Sequence, residues 1–371
     1  MILSATLSRY LARSYILNLL FMTACLWGII YLFDTVELLR RATKIDDFPL
    51  ILVLQMGLLK LPDVGFTVFP FAILFAAMFT FWQLTRRYEL VVVRSAGFSV
   101  WQFLAPIVGV AVLTGILILA VFNPLSALLI GKYEQLESRF LTQRQNEIAL
   151  FDEGLWLRQG QMQGQGLQDS GYAILHAEAI QMPEWKLQKV MVLFFDEEDS
   201  FLRRLDATSA QLADGQWQFS DIVDNRPGEK AQRIAGLAMP TELTTAEIED
   251  SFSSPETLSF WQLPSYIRIM ERTGFDSTRL RIHLHSLMAQ PLLFAAMIFL
   301  AAAVSMRPPR QGAALWLLAS GILIGFVTFF TSSFLQALGA SHQIPVPLAA
   351  WSPALVMTLL GVSAMLTLEE G

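Results

Sequence analysis

The chain has 371 residues, of which 54% are hydrophobic and only 16% charged, and its formal net charge is −6. This composition is too apolar for an ordinary soluble domain of that length, so it predicts a membrane protein. The mild acidity gives no reason to expect nucleic acid as a partner. The single cysteine, Cys25, cannot form an internal disulfide.

Four runs without Asp, Glu, Lys or Arg are each long enough for the roughly 20 residues of a membrane-crossing helix. They cover residues 14–33, 64–85, 95–131 and 282–306. A further run, 311–368, contains a polar, proline-containing break at 339–347 and predicts two more spans. Six transmembrane helices result, three before and three after the acidic middle of the chain.

Basic residues predict the orientation of these helices. Arg9 and Arg13 precede the first span, the segment 86–97 joins the second span to the third, and two arginines occur in 307–310, between the fourth span and the fifth. The positive-inside rule places these segments and both termini in the cytoplasm. The acidic middle region then lies outside.

A basic cluster at the outer end of the first span argues mildly against this orientation but does not outweigh it. Glu37, Arg40, Arg41 and Lys44 have i, i+3, i+4, i+7 spacing, so they share one face if the helix continues. This face is either a solvated surface with a Glu37–Arg41 pair or a cationic patch for an anionic lipid headgroup.

The segment 86–97 is a charged island between two long apolar runs. It carries one acid, Glu89, among the arginines Arg86, Arg87 and Arg94, and Gly97 stands where a helix can stop. The positive-inside rule explains the arginines but not the acid. We therefore interpret the island as a docking element for a peripheral partner protein.

The middle of the chain changes to strand-like runs at 149–157, 172–180, 186–196, 201–213, 216–223 and 232–239. Short strands without intervening helices predict an antiparallel sandwich, jelly roll or partly open barrel. This fold either holds lipid chains or is a packed spacer. A short amphipathic helix is predicted at 259–272. The expected interior residues are Leu155, Leu157, Ile174, Val190, Val192, Phe194, Leu212, Trp217 and Phe219.

Catalytic motifs are missing from the sequence. There is no phosphate-binding loop, because Gly131-Lys132 is followed by Tyr133. His283 and His285 do not share a helical face, so we predict that they are interfacial polar residues and do not form a metal site. The uncharged runs contain no Asp, Glu, Lys or Arg that could serve ion-coupled transport. We expect no catalytic residue and no cofactor in this chain.

The island sequence RYELVVVRSAGFS at 87–99, with six spans split three and three around an inserted β-domain, resembles the LptF/LptG (YjgP/YjgQ) permeases of the lipopolysaccharide exporter. The LptG-type branch is closer, from Glu89-Leu90-Val91-Val92 and from Phe33-Asp34 leading into Arg40-Arg41. The resemblance covers nearly the whole chain. It implies an α+β protein of the bacterial inner membrane with an inserted periplasmic antiparallel β-jelly-roll domain.

The implied domains are residues 1–131, with helices 1–3 and a coupling helix near 86–97, then the β-jelly-roll at 132–257, then a linking helix and helices 4–6 at 258–371. The implied function is that of a permease subunit of an ABC exporter, not an enzyme. It extracts lipopolysaccharide from the inner membrane and passes it to a periplasmic bridge. The alternatives are the LptF-type half of the same exporter, or a membrane scaffold that transmits motion without lipid cargo.

The implied partners are an LptF-type permease, an LptB-type ATPase dimer that holds ATP and magnesium, bridge proteins of the LptC and LptA types, lipopolysaccharide and membrane lipid. Glu89 matches the glutamate that engages the ATPase groove, and Arg40 and Arg41 match a basic pair that faces lipopolysaccharide phosphates. The remaining candidates for coupling are Arg86, Arg87, Leu90, Arg94 and Gly97, and those for lipopolysaccharide binding are Lys44, Lys132 and Arg139. One departure is the lack of a lysine at 286–289, where family members often carry one before Gln290-Pro291.

Overall fold

The computed structural model describes residues 5–43, 49–137, 140, 147–151, 154–160, 171–181, 186–196, 198, 200–213, 215–241, 255–273, 276–306 and 313–370. The chain divides into two compact units. The helical unit comprises Met1–Leu136, Glu256–Trp261 and Arg281–Gly371, and the β-unit comprises Glu137–Pro255 and Gln262–Leu280.

The predicted α+β membrane fold is confirmed, because six helices among the described residues are long and apolar enough to cross a membrane. The third crossing consists of two α-helices joined by a π-helical turn at Ile118–Phe122. The crossings are α1 (Ala5–Ala42), α2 (Leu50–Arg86), α4 (Val100–Leu117) with α5 (Asn123–Glu137), α7 (Thr278–Ser305), α8 (Ala313–Ala340) and α9 (Val346–Glu370).

The first two helices continue beyond the uncharged runs that predicted them. α1 extends through Glu37 and Arg41, and α2 contains Lys60 and Asp63. At about 1.5 Å per residue, the 37 residues of α2 are longer than the roughly 30 Å hydrocarbon core of a bilayer. Lys60 and Asp63 lie in the first half of α2, before the uncharged run 64–85. Counting uncharged residues alone therefore places the start of this helix too late.

A buried apolar core holds the helical unit together. Tyr15, Ile73, Phe103 and Phe294 are all fully buried in it. In α4, a Cβ on Gly115 would stand 2.8 Å from the Cα of Pro291 in α7. The glycine therefore permits a close approach of these two helices that a larger residue would prevent.

The β-unit contains one antiparallel sheet of seven strands, which lie side by side in chain order. The prediction of a single strand at 149–157 is wrong, because that stretch forms a hairpin with Phe151 opposite Gly154. An acidic pair and a glycine interrupt the apolar pattern there. The strands are β1 (Glu147–Phe151), β2 (Gly154–Gly160), β3 (Gly171–Gln181), β4 (Lys186–Asp196), β5 (Phe201–Ala213), β6 (Gln216–Asn225) and β7 (Gln232–Pro240).

Most of the predicted interior of the β-unit is confirmed. Ile174 and Leu212 were assigned wrongly, since both are only half-buried. In β3 the buried face consists of Ala173, Leu175 and Ala177. Because two of these residues are small alanines, the alternation of apolar residues in the sequence did not indicate this face. The confirmed residues are Leu155, Leu157, Val190, Val192, Phe194, Trp217 and Phe219.

A crease crosses the described strands β3 to β7. Along it, the register of each two neighbouring strands lacks one residue pair. It passes through Glu178, Lys189, Thr208, Asp221 and Ala235. Lys189 and Asp221 have φ angles of 50° and 52°, in the left-handed region. The buried position moves by one residue at the crease, which bends the sheet as a bulge does.

The predicted amphipathic helix is present as α6 (Leu263–Thr273), but it begins later than 259. The residues before it belong to the helical unit and bind the third crossing. The Phe260 N–H donates to Oδ1 of Asn123 at 2.6 Å, and Nε1 of Trp261 donates to the Ala120 carbonyl at 3.2 Å. These two bonds hold this segment in a non-helical conformation.

Candidate functional site

The charged island between α2 and α4 contains a short helix, α3 (Glu89–Ser95). Tyr88, with φ of 61°, precedes it, and Gly97, with φ of 85°, follows it. Glycine takes this conformation without a Cβ penalty, so it ends the helix where the sequence predicted. Ser99 and Gln102 then form a capping box that starts α4. Both ends of α3 are thus defined by local structure.

Only one side of α3 packs against the helical unit. Leu90 is buried in the same apolar core as Leu84 and Val100. On the opposite side the side chains of Tyr88, Val91 and Val92 are exposed by 71%, 59% and 65%. An anchored helix with an exposed apolar face is typical of a protein interaction site.

Glu89 connects this helix to α1. Its carboxylate accepts a hydrogen bond from the Tyr10 hydroxyl, which lies 3.0 Å from Oε2 and 3.2 Å from Oε1. The Arg87 guanidinium is 4.0 Å from Oε1. The acid is therefore positioned by two other elements, the start of α1 and the turn that follows α2.

The other two arginines of the island have different surroundings. The Arg86 guanidinium lies over the Trp82 ring, 5.2 Å from its centroid. Arg94 stands exposed in the last turn of α3. Sequence reasoning missed Tyr10, because its position between Arg9 and Arg13 gives no sign that it contacts a residue 79 positions later.

At the far end of α1, Arg40 and Arg41 both bind Glu37. Nε and Nη2 of Arg40 each lie 2.8 Å from a Glu37 oxygen, and Nε of Arg41 lies 3.1 Å from Oε1. The side chains remain 71% and 53% exposed. Both arginines thus share the predicted face. Lys44 and Arg139 lie outside the described residues.

Two further lysines occur near this end of the helical unit. Lys132 is exposed on α5. Lys60, which the sequence did not single out as a site residue, lies with Nζ 3.4 Å from Oδ1 of Asp34 and 6.0 Å from the centroid of the Tyr133 ring. Lys60 therefore joins α1, α2 and α5, whereas Lys132 is turned towards the surroundings.

An open apolar groove of about 400 Å³ lies between α1, α2 and α8. Met22 and Leu26 of α1, Phe75 and Trp82 of α2, and Leu317 of α8 line it. Its surface suits a hydrocarbon chain. Over the described ranges, no group of three or more His, Cys, Asp and Glu side chains could hold a metal ion.

Comparison with known proteins gives one family and a small set of relatives. The family model described as "Lipopolysaccharide export system permease LptF/LptG" matches residues 9–367. A protein named "Lipopolysaccharide export system permease protein LptG" from Haemophilus influenzae is 24% identical, over 96% of each chain. The protein of the same name from Escherichia coli K12 is 23% identical, over 94% of each chain.

Proposed function

Because the chain belongs to the lipopolysaccharide export system permease LptF/LptG family, we propose that it is the LptG-type permease subunit of an ABC exporter. Its work is to extract lipopolysaccharide from the inner membrane and pass it to a periplasmic bridge. The observation that carries this proposal is α3, a short helix with an exposed apolar face and an acid bound to α1. ATP and magnesium are held by a separate LptB-type ATPase dimer.

The coupling step begins at α3. The exposed Tyr88, Val91 and Val92 enter a groove of the ATPase, and Glu89 is the polar contact at the edge of that apolar face. Closure of the ATPase dimer then pushes on α3. The Tyr10 hydroxyl transmits the movement to α1, because it is bonded to the same carboxylate.

α1 carries this movement across the membrane to the proposed cargo site. It is one helix from Ala5 to Ala42, with Tyr10 near one end and Arg40 and Arg41 at the other. A helix of this length moves largely as a rigid element, so displacement at its start shifts its far end. A cavity shared with an LptF-type permease opens and closes as a result.

Cargo recognition combines charge with apolar contact. The exposed N–H groups of Arg40 and Arg41 bind lipopolysaccharide phosphates, and arginine suits that role because its planar fork pairs with phosphate oxygens. Lys132 adds positive charge at the same end, together with Lys44 and Arg139. The groove lined by Phe75 and Trp82 takes an acyl chain.

The β-unit lies in the periplasm, and both termini lie in the cytoplasm, in agreement with the positive-inside rule. Its sheet ends in β1 on one side and β7 on the other. An open strand edge offers backbone N–H and C=O groups to a further strand. Bridge proteins of the LptC and LptA types extend the sheet there and receive the lipopolysaccharide.

Photocrosslinking tests the proposed cargo. A photoreactive amino acid replaces Phe75 in the groove, and a second variant carries it at the exposed Leu359 of α9, outside the groove. Lipopolysaccharide should crosslink at the groove position, and ATP should change the yield. If phospholipid alone crosslinks equally at both positions, the chain is a scaffold that transmits motion without lipid cargo.

A further inference from the structure

A second cavity lies inside the helical unit, bounded by α2, α7, α8 and α9, with a volume of about 370 Å³. Its lining differs from that of the apolar groove, because every bounding helix except α9 contributes polar side chains. On α8 these are Thr328, Ser332, Ser333 and Gln336. The volume is that of a small-ligand site and is far larger than one water molecule needs.

Three polar side chains of α7 line this cavity. His283, Ser286 and Gln290 have i, i+3, i+7 spacing and so share one helical face. Nε2 of His283, Oγ of Ser286 and Oε1 of Gln290 are buried and have no hydrogen-bond partner among the described residues. Buried polar atoms are normally paired, so three unpaired atoms facing one cavity indicate a missing ligand.

Two carboxylates line the same space. Asp63 comes from α2, and Glu256 comes from a 3₁₀ turn at Pro255–Thr257. Both carboxylates belong to the lining of this one cavity. The described lining includes no Lys or Arg side chain, and the ammonium group of Lys60, one turn before Asp63 in α2, lies 3.4 Å from Oδ1 of Asp34. The cavity therefore carries more negative than positive charge.

We propose that this cavity binds one small monovalent cation, either a proton or a sodium ion, held by the carboxylates of Asp63 and Glu256. Oε1 of Gln290 and Oγ of Ser286 are the neutral oxygen ligands. This site is separate from the residues proposed to bind lipopolysaccharide or the ATPase, so it does not depend on the exporter function.

The chemistry of the lining selects a cation over an anion or an apolar ligand. Two carboxylates in one partly buried cavity repel each other when both are charged, and a bound proton or metal ion relieves that repulsion. Oxygen ligands suit hard cations such as sodium. His283 is the third titratable group of the lining, and the described lining residues of α8 and α9 include none. Burial raises the pKa of Glu256, which favours proton binding at that group.

Thermal unfolding of the purified full-length protein distinguishes the two cations. The unfolding midpoint is measured in sodium chloride and in choline chloride at equal ionic strength, each across a series of pH values. Bound sodium should raise the midpoint in sodium chloride only. A bound proton should give the same midpoint in both salts, and that midpoint should fall as the pH rises.

Three variants identify the site. Asp63→Asn and Glu256→Gln should each abolish the response to the cation, whereas Glu229→Gln, which removes an exposed acid of the β-unit, should keep it. A direct count of bound radioactive sodium by equilibrium dialysis remains informative if one cavity variant folds poorly. The proposal is overturned if wild type responds to neither cation, or if both cavity variants respond as wild type does.

Discussion

The hydroxyl of Tyr10 is hydrogen-bonded to the carboxylate of Glu89, at 3.0 Å from one oxygen and 3.2 Å from the other. Tyr10 belongs to the first turns of α1, and Glu89 begins the short helix α3. This bond makes α1 a direct neighbour of the proposed ATPase contact. In the proposed mechanism, this bond is the route by which movement of α3 reaches the first transmembrane helix.

Replacing Tyr10 with phenylalanine tests that route. Tyr10→Phe keeps the ring and removes the hydroxyl, and a hydrogen bond to a charged group contributes about 1.5–3 kcal/mol, or less when it is exposed as here. We expect the ATPase to bind normally, while lipopolysaccharide release per ATP hydrolysed falls several-fold. Tyr31→Phe is the matched control, because it removes another hydroxyl of α1, one that donates to the Leu54 carbonyl in α2 and does not contact α3. Equal export by both variants would contradict the route.

The basic pair on α1 gives a prediction of charge sign. Arg40→Glu combined with Arg41→Glu should weaken lipopolysaccharide binding by about tenfold or more, since charge-assisted bonds to phosphate are lost. Glu37→Gln should have the opposite effect, because it releases both arginines from their shared carboxylate. Binding to the protein in nanodiscs at low and high salt measures both. Unchanged binding in the double variant would remove the pair from the cargo site.

The contact between α4 and α7 predicts a difference between two glycines of one helix. Gly115→Ala would put a methyl group 2.8 Å from the Cα of Pro291, and overpacking of this kind costs about 1–3 kcal/mol. Gly109→Ala in the same helix meets open space and should be neutral or slightly stabilising. Thermal unfolding in detergent compares them, and equal midpoints would show that the close approach is not needed.

Glu256 predicts a pH dependence of stability. Burial raises its pKa above the ordinary value of 4.5, so the folded protein binds this proton more tightly than the unfolded chain does. The stabilisation of the folded protein by Glu256 is complete below pH 4.5 and is lost as the pH rises through the raised pKa. Glu256→Gln should reduce the change of the unfolding midpoint with pH over that range, whereas the exposed Glu229→Gln should not. If Glu256→Gln keeps the wild-type change with pH, groups other than Glu256 cause it.

Several parts of the fold were predictable because they depend on local composition. Uncharged runs located the six crossings, and β4 and β5 were predicted with the residue bounds that the structure shows. The ends of α1 and α2 were not predictable in this way. Charged residues such as Lys60 can continue a helix once it leaves the hydrocarbon core, so charge marks the membrane boundary and not the helix end.

The candidate site shows the same division. The island was recognisable from Glu89 among its arginines, since an acid in a basic loop is unexpected. Tyr10 and Lys60 were not recognisable, because their partners lie far away in sequence and only tertiary packing brings them together. The presence of Asp63 and Glu256 in the lining of one cavity is a further case, as about half of the chain separates these residues.

The most direct test of the central claim is the amount of ATPase recovered with the permease. The chain is produced together with an LptF-type permease and an LptB-type ATPase and purified through a tag on this chain. Wild type should retain both partners, and Glu89→Ala should lose most of the ATPase while keeping the second permease. Recovery of the ATPase with Glu89→Ala at the wild-type yield would contradict the role of Glu89, and wild type that retains neither partner would contradict the exporter.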